Sequence, residues 1–310
     1  MYKGKRVAVV VPAHNEEKLI ARTITTVPDF VDDIVVIDDA STDDTSKRAV
    51  ATGDPRLHLI EHEVNTGVGG AIIDGHKLAM ELGADIDVVM AGDAQMDPRY
   101  LPALLDPIVD SGYGFTKANR FYSRQALAGM PAIRIAGNVV LSFATKLASG
   151  YWNLFDPQNG YTAITRESLS IIDLDRVARR YSFENDLLIS LGIAGVRAKD
   201  VPIPSVYGDE VSGMRMRKVI PEISTLLFVG FWRRIFLKYV LMSFSPIALL
   251  LFTGLFLCAF GLAVGIWALV VSPSGVAPSA GTALLSAGPL LVGINMLVHA
   301  LSLDIQQTPD

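Results

Sequence analysis

The sequence predicts an α/β fold with a doubly wound parallel sheet, followed by amphipathic helices and two membrane-spanning helices. Three observations carry that reading. Short β-branched runs alternate with helix-spaced segments through residue 110. The polar segments best suited to chemistry fall at the C-terminal ends of those runs, where open parallel sheets bind ligands. The stretch from Ser245 to Leu303 contains no Lys, Arg, Asp or Glu, and nearly all the charge lies before it.

The elements follow in order. Residues 7–11 form a β-branched run stopped by Pro12, read as a buried strand. Residues 16–27 have helical spacing at Leu19, Ile20, Ile24 and Val27, with Pro28 beyond the end. Residues 34–37 are a second strand, ending in Asp38 and Asp39. Residues 41–44 read as a helix start with acidic residues near the positive end of the dipole. Residues 57–60 are a third strand, and the loop 65–70 leads into a helix over 71–82. Residues 86–90 are a fourth strand, followed by Gly92, Asp93, Ala94 and Gln95. Farther on, the pattern predicts a helix over 133–147, strands at 160–165 and 196–201, and a short helix over 185–191.

Residues 219–242 mix Phe228, Phe231, Trp232 and Phe236 with Arg233, Arg234 and Lys238, as a helix lying in a membrane interface would. The alternative is a surface helix packed on the domain. Two apolar segments follow, 246–271 and 283–303, each long enough to cross a bilayer, which takes ~20 residues. Arg215, Arg217, Lys218, Arg233, Arg234 and Lys238 precede the first. Excess positive charge marks the cytoplasmic side, so the expectation is a two-span integral membrane protein with a cytoplasmic catalytic domain. The expected parts are a catalytic domain over 1–212, interface helices over 213–244, a hairpin over 245–303 and a cytoplasmic tail over 304–310. The N-terminal apolar run is too short for a signal peptide. The single cysteine, Cys258, allows no internal disulfide, and the net charge of −5 gives nucleic-acid binding no support. A homo-oligomer is compatible with all of this.

Several residues suit chemistry. Asp93 and Gln95 offer hard oxygen ligands two residues apart at a strand end, with Asp97 as a further ligand, a set that suits Mg2+ or Mn2+ bridging phosphates. The plain alternative is a helix cap. Asp39 can accept from a base N–H or a ribose hydroxyl, or else cap the following helix. The glycine loop 65–70 can bring backbone close to a ligand, or be a tight turn. It lacks the Lys-Ser/Thr ending of a P-loop and the full G-x-G-x-x-G spacing, which leaves a nicotinamide cofactor weakly supported. Arg120 and Arg134, with Lys117 nearby, suit phosphate recognition or a solvated surface. His58 and His62 are four apart on a strand and do not read as a metal pair. No nucleophile elbow or zinc-type cluster is present.

The motifs Val9-Val10-Val11-Pro12-Ala13-His14-Asn15-Glu16-Glu17, Val36-Ile37-Asp38-Asp39-Ala40-Ser41-Thr42-Asp43, the loop 65–70 and Gly92-Asp93-Ala94-Gln95 together resemble glycosyltransferase family 2, with its GT-A fold. Phe155-Asp156-Pro157-Gln158-Asn159-Gly160-Tyr161, Val201-Pro202-Ile203-Pro204 and Tyr207-Gly208-Asp209-Glu210-Val211-Ser212 are similar to the branch of dolichol-phosphate mannose synthases and polyprenyl-phosphate glucosyltransferases. The resemblance implies nucleoside contacts at Pro12, Ala13, Asn15, Glu16, Asp39 and Gly67, and a Mg2+ or Mn2+ site at Asp93 and Gln95. It also implies phosphate-facing roles for Arg120 and Arg134 and a sugar-site role for Asp156. Two departures stand out. The first Asp of the branch's Asp-x-Asp-x-Gln is Ala91, and its Gly-Glu-Ser-Lys element reads Asp209-Glu210-Val211-Ser212.

The implied reaction is inverting transfer of a sugar from GDP-mannose, UDP-glucose or UDP-GlcNAc to dolichyl or undecaprenyl phosphate. A phosphate monoester is already largely a dianion at neutral pH, its second pKa being ~6, so no strong general base is needed. Two other readings stay open: a processive polysaccharide synthase, though its Gln-x-x-Arg-Trp motif is missing, and a non-catalytic nucleotide-sugar-binding membrane protein.

Overall fold

The computed structural model describes residues 1–121, 132–204, 216–271 and 278–309, apart from the side chains of 132–135 and 216–219. The Tyr207–Ser212 motif, Arg215, the Arg134, Arg217 and Lys218 side chains and most of the inter-span linker lie outside the described residues. The chain divides into two compact units, Met1–Phe231 and Trp232–Thr308.

The first unit is built on seven strands: β1 (Val7–Ala13), β2 (Asp33–Asp38), β3 (Leu57–Glu61), β4 (Ile86–Val89), β5 (Phe115–Asn119), β6 (Thr162–Thr165) and β7 (Ala198–Pro202). They form one sheet in the order β3-β2-β1-β4-β6-β5-β7. β3, β2, β1 and β4 run parallel, with Val9 opposite Ile34 and Val88. Every residue of β1 is buried, because helices cover both faces of a parallel sheet. Successive side chains point to opposite faces. Val7, Val9 and Val11 pack with α1 (Ile20–Thr25) and α4 (Leu101–Ser111) through Ile20, Ile24, Leu101 and Leu104. Ala8 and Val10 pack with Ala71 and Ala79 of α3 (Val68–Glu81). Each buried valine or isoleucine contributes ~1.5–3 kcal/mol of transfer free energy.

The structure differs from the sequence expectation in places. The sheet is mixed rather than all parallel, since β6 runs antiparallel to both neighbours. β5 and α4 were not expected, because Phe-Thr-Lys-Ala-Asn carries no clean apolar run and α4 holds two prolines. The first helix starts at Ile20, not residue 16. The Glu16 and Glu17 N–H groups are taken by Thr45 Oγ1 and the Asp43 carboxylate instead. For the same reason the next helix, α2 (Thr45–Val50), begins after the predicted 41–44 start.

Beyond the sheet lie α5 (Ala132–Ser149), α6 (Arg166–Ser170), α7 (Phe183–Ala194) and α8 (Met216–Arg234). Ala148 of α5, Ile189 of α7, and Ile223 and Leu227 of α8 form a separate apolar cluster.

The second unit holds a π-helix (Ile235–Leu241), α9 (Pro246–Val271) and α10 (Ala280–Gln306). Both α9 and α10 are long and apolar enough to cross a membrane, with best-window mean hydropathies of 2.6 and 1.7. They pair through small residues. Ser286 Oγ donates to Gly261 O at 2.8 Å, and a Cβ on Gly261 would lie 2.6 Å from Ser286 O, the close backbone approach that membrane helices favour. α10 runs past Leu303 to Gln306, so Asp304 is part of a helix rather than a tail. Arg234, fully buried, holds Asp304 bidentately at 2.6 and 3.0 Å, and Tyr239 Oη donates to the same carboxylate at 2.5 Å. One of the cations counted toward membrane orientation is therefore neutralised inside this unit.

Candidate active site

The strand order reverses direction at β1, which makes the C-terminal ends of β1, β2 and β4 the place where a crevice opens. Backbone bonds tie these ends together. Asp39 N donates to Ala13 O at 2.8 Å, and Gly92 N donates to Pro12 O at 3.1 Å. Pro12 and Ala13 are thus buried structural residues whose carbonyls set the spacing of the crevice. Asn15 sits exposed at φ +58°. Its N–H donates to Ser41 Oγ, and its Oδ1 accepts from Thr42 N, both at 2.8 Å. The β1 and β2 end loops are therefore one stitched surface.

Asp39 is 3% exposed and faces the glycine loop. Oδ1 lies 2.9 Å from His62 Nδ1 and accepts from Thr66 N at 2.8 Å and Thr66 Oγ1 at 2.9 Å, while Oδ2 accepts from Gly67 N at 2.9 Å. Burial raises this carboxyl, but the hydrogen bonds from His62, Thr66 and Gly67 together outweigh it and hold it below the ordinary carboxylate range. Gly67 has φ +89°, and a Cβ there would lie 2.8 Å from Arg179 O, so only glycine fits. Asp39 is the anchor of the loop that opens α3. His62 also reaches Asp74 at 3.4 Å, and His58 pairs with Asp33 at 3.2 Å. The two histidines share no carboxylate.

Asp93 follows β4. Its Oδ1 accepts from Gln95 N at 3.0 Å across Ala94, which is held at φ +52°. Burial pushes its carboxyl up, opposed by the backbone N–H groups of Gln95 and of Asp93 itself. That is the condition of a carboxylate that a divalent cation would relieve, so the residue fits a metal. Asp97 is differently placed. It caps a short 3-10 turn (Pro98–Tyr100) and holds the Arg99 guanidinium at 2.5 Å, with its carboxyl lowered mainly by Arg99. Ala91, standing in place of the missing carboxylate, gives its N–H to Met96 Sδ at 3.2 Å. Among the described residues no group of three or more His, Cys, Asp or Glu side chains is placed to hold a metal.

A second polar knot lies where β5 ends and β6 begins, on the same edge of the sheet. Asp156, 1% exposed, takes the Arg120 guanidinium bidentately at 2.8 and 3.0 Å, plus the Arg120 N–H at 3.1 Å. Burial would raise the Asp156 carboxyl, but Arg120 and Lys117 together hold it low. The structure thus joins two sequence candidates into one ion pair. Beneath them Lys117, fully buried, donates from Nζ to Asn159 O, and burial pulls its ammonium down to about 8. Asp200 accepts from Phe155 N at 2.7 Å and Asn119 Nδ2 at 2.9 Å, with burial lifting its carboxyl to about 6. Asp200 escaped the sequence reading because nothing in Ala-Lys-Asp-Val-Pro separates a buried strand carboxylate from an exposed one.

Comparisons with known proteins agree with this fold. The model of the family described as Glycosyl transferase family 2 matches residues 8–172, more than half of the chain. The UDP-N-acetylglucosamine–dolichyl-phosphate N-acetylglucosaminyltransferase of Methanococcus voltae is 31% identical over 218 residues, covering 66% of this chain and 86% of its own. The undecaprenyl-phosphate mannosyltransferase of Micrococcus luteus is 31% identical over 206 residues, covering 65% and 84%. Among solved structures, glucosyl-3-phosphoglycerate synthase from Mycobacterium tuberculosis, in complex with Mn2+, UDP and phosphoglyceric acid, matches with a TM-score of 0.55 at 23% identity, covering 74% of this chain and 78% of that one. That likeness is one of fold. With sheet order, strand-end polar residues and family match in accord, this chain belongs to glycosyltransferase family 2, an enzyme of GT-A fold whose C-terminal part carries two helices of bilayer length.

Proposed function

We propose that the protein transfers a sugar from a nucleotide sugar to the phosphate of a polyisoprenyl lipid at the cytoplasmic face of a membrane. One observation carries the reading: a half-buried strand-end carboxylate, Asp93, lies at the mouth of the sheet in a chain that also has two bilayer-length helices. The names of the Methanococcus and Micrococcus relatives support the lipid-phosphate acceptor. UDP-GlcNAc, GDP-mannose and UDP-glucose are the donors to test.

In this reading the stitched β1 and β2 end loops, with Asn15, Glu16 and the Asp39-anchored Gly67 loop, receive the nucleoside. Asp93 and Gln95 would hold Mg2+ or Mn2+, which when bound supplies countercharge to the departing diphosphate. Asp97 would join them only by releasing Arg99. The acceptor phosphate needs no strong base, so the protein's work is to bring two anions together and hold them in line. Arg120 and Arg134 provide positive charge for that. Asp156 fixes the Arg120 guanidinium in place rather than taking a proton. A direct displacement at the anomeric carbon inverts its configuration. The domain boundaries at 212 and 244, a hairpin that continues to Gln306, the two-span topology and the cytoplasmic placement belong to the same proposal.

The test is one panel. Full-length protein in detergent is mixed with undecaprenyl or dolichyl phosphate, Mg2+ or Mn2+, and each nucleotide sugar, and the lipid product is read by mass spectrometry. A singly glycosylated lipid phosphate is expected with one donor. A polymer from nucleotide sugar alone, or no lipid product with any donor, overturns the proposal.

A further inference from the structure

β7 is the outer strand of the sheet. Arg197 O, at its start, accepts from Gly114 N and Phe115 N on the β5 side, at 2.9 and 3.1 Å. The Val196 and Ala198 carbonyls alternate with it and point to the open side, where a strand edge must be covered or left unpaired. The segment after α5 covers it in steps of two. Tyr151 Oη donates to Val196 O at 2.6 Å, Asn153 Nδ2 donates to Ala198 O at 2.8 Å, and Phe155 N donates to Asp200 Oδ2 at 2.7 Å. On the side toward α5, Lys146 Nζ donates to Trp152 O and Ser142 Oγ to Phe155 O, both at 2.6 Å. The last rung on β7 differs in kind, because its acceptor is a side chain.

That side chain holds a second group. Asn119 Nδ2 donates to the same Asp200 Oδ2 at 2.9 Å, and Asn119 Oδ1 accepts from Phe121 N at 2.8 Å. One oxygen therefore grips the residue before Asp156 and the residue before Arg120, the two halves of the ion pair. Asp200 Oδ1 is buried and has no hydrogen-bond partner among the described residues, so the bonding of this carboxyl is concentrated on Oδ2. We propose that Asp200 is a positioning residue for sugar transfer: by holding Phe155 and Asn119 on one oxygen, it sets where Asp156 and Arg120 meet at the phosphate end of the site. The inference rests on the reading in which Arg120 faces phosphate. A carboxylate that only secured the sheet edge has no reason to stand at the one rung shared by both partners of the pair. Burial disfavours the charge on Asp200 and lifts its carboxyl to about 6, against the pull of Lys117 and Lys146 and with the push of Asp156. The acceptor oxygen, rather than the charge, is what the arrangement uses.

The test uses the full chain in detergent with undecaprenyl phosphate and whichever of the three nucleotide sugars is turned over. Asp200→Ala should lower kcat/KM about 10–100-fold, the scale of a displacement of catalytic groups by up to an ångström. Asp200→Asn keeps an acceptor oxygen for both donors and should stay within about threefold of native. Tyr151→Phe removes the first rung, four residues before Phe155, and should lower Tm while leaving kcat/KM unchanged. In an Arg120→Ala background, Asp200→Ala should cost less than about threefold more, because residues that act as a unit are not additive. If Asp200→Ala does not fold, Asn119→Ala takes its place, with the same loss and the same non-additivity expected. Hydrogen exchange of the 151–158 segment should quicken in Asp200→Ala and not in Asp200→Asn. Native kcat/KM in Asp200→Ala overturns the proposal, as does an Asn variant as impaired as Ala, a Tyr151→Phe loss of the same size, or full additivity with Arg120→Ala. Faster exchange at 151–158 in a protein that transfers sugar to no lipid phosphate would sink the transfer reading and leave Asp200 as the holder of the Arg120–Asp156 pair. Transfer that Asp200→Ala leaves intact would do the reverse.

Discussion

Arg120→Ala and Asp156→Asn break the same ion pair, yet the structure predicts unequal costs. The Asp156 side chain is 1% exposed and that of Arg120 34%. Removing the arginine strands a carboxylate away from water. Removing the carboxylate's charge leaves a guanidinium that can turn outward. Breaking a buried pair costs ~3–5 kcal/mol. Solvent screening of Arg120 discounts Asp156→Asn to ~1–2 kcal/mol, while Arg120→Ala stays near ~3, moderated by nearby Lys117. At ~2–4 °C per kcal/mol for a domain of this size, that is a Tm loss of roughly 9 °C against roughly 4 °C. The pH dependence gives a second check. In the native protein the Asp156 carboxyl is held below its ordinary value. Its contribution is therefore present above the unfolded pKa of ~3.9 and is lost as pH falls through the folded value. Without Arg120, burial dominates and raises the carboxyl, so the variant is penalised at neutral pH and recovers as the group takes a proton. The gap between native and Arg120→Ala should narrow from pH 7 to pH 4.5, measured by thermal unfolding of the full chain in detergent with near-UV circular dichroism. Equal costs for the two variants, or a gap that widens on acidification, would refute the reasoning.

The remaining predictions concern other parts of the chain. Asp304→Asn should destabilise the second unit by ~3–5 kcal/mol by stranding Arg234, while Arg234→Met with Asp304→Leu should come within about 1 kcal/mol of native, read by protease resistance in micelles. Asp93→Ala should cut kcat ~10²–10³-fold without lowering Tm, because burial has raised the carboxyl it removes. Mn2+ should raise the Tm of the native protein and not of that variant. Gly192→Ala would place a Cβ 2.0 Å from Ser149 O and should cost ~3 kcal/mol or more through forced separation of α5 and α7. Gly195→Ala, open to solvent at φ +72°, should cost only ~1 kcal/mol.

The part of the fold that could be read in advance is the part where one physical rule acts alone. Strands buried on both faces must be β-branched and apolar along their whole length, and residues 7–11, 34–37 and 86–90 are. A charge-free stretch of bilayer length says the same thing regardless of context. β5 failed that test because its lysine is buried, and a buried lysine looks like an exposed one until its partner is known. Lys117 has that partner in Asn159 O, 42 residues on.

The same distinction runs through the site. Local spacing picks out Asp93 and Gln95 after one strand, and what the structure adds is the turn in which the Gln95 backbone N–H bonds the Asp93 carboxylate. Arg120 and Asp156 were separate candidates until β5 and the turn before β6 were brought side by side by an antiparallel pairing no local pattern encodes. Arg234 was counted as a free cation until α10 returned Asp304 to it. What the sequence determined by itself was the composition of each surface and the order of the elements, because those depend on neighbours within a few residues. What only the tertiary structure decided was which of the charges among the described residues cancel, and which carboxylates are buried. Those depend on groups far apart in the chain, and their energies are set by the loss of water when they meet.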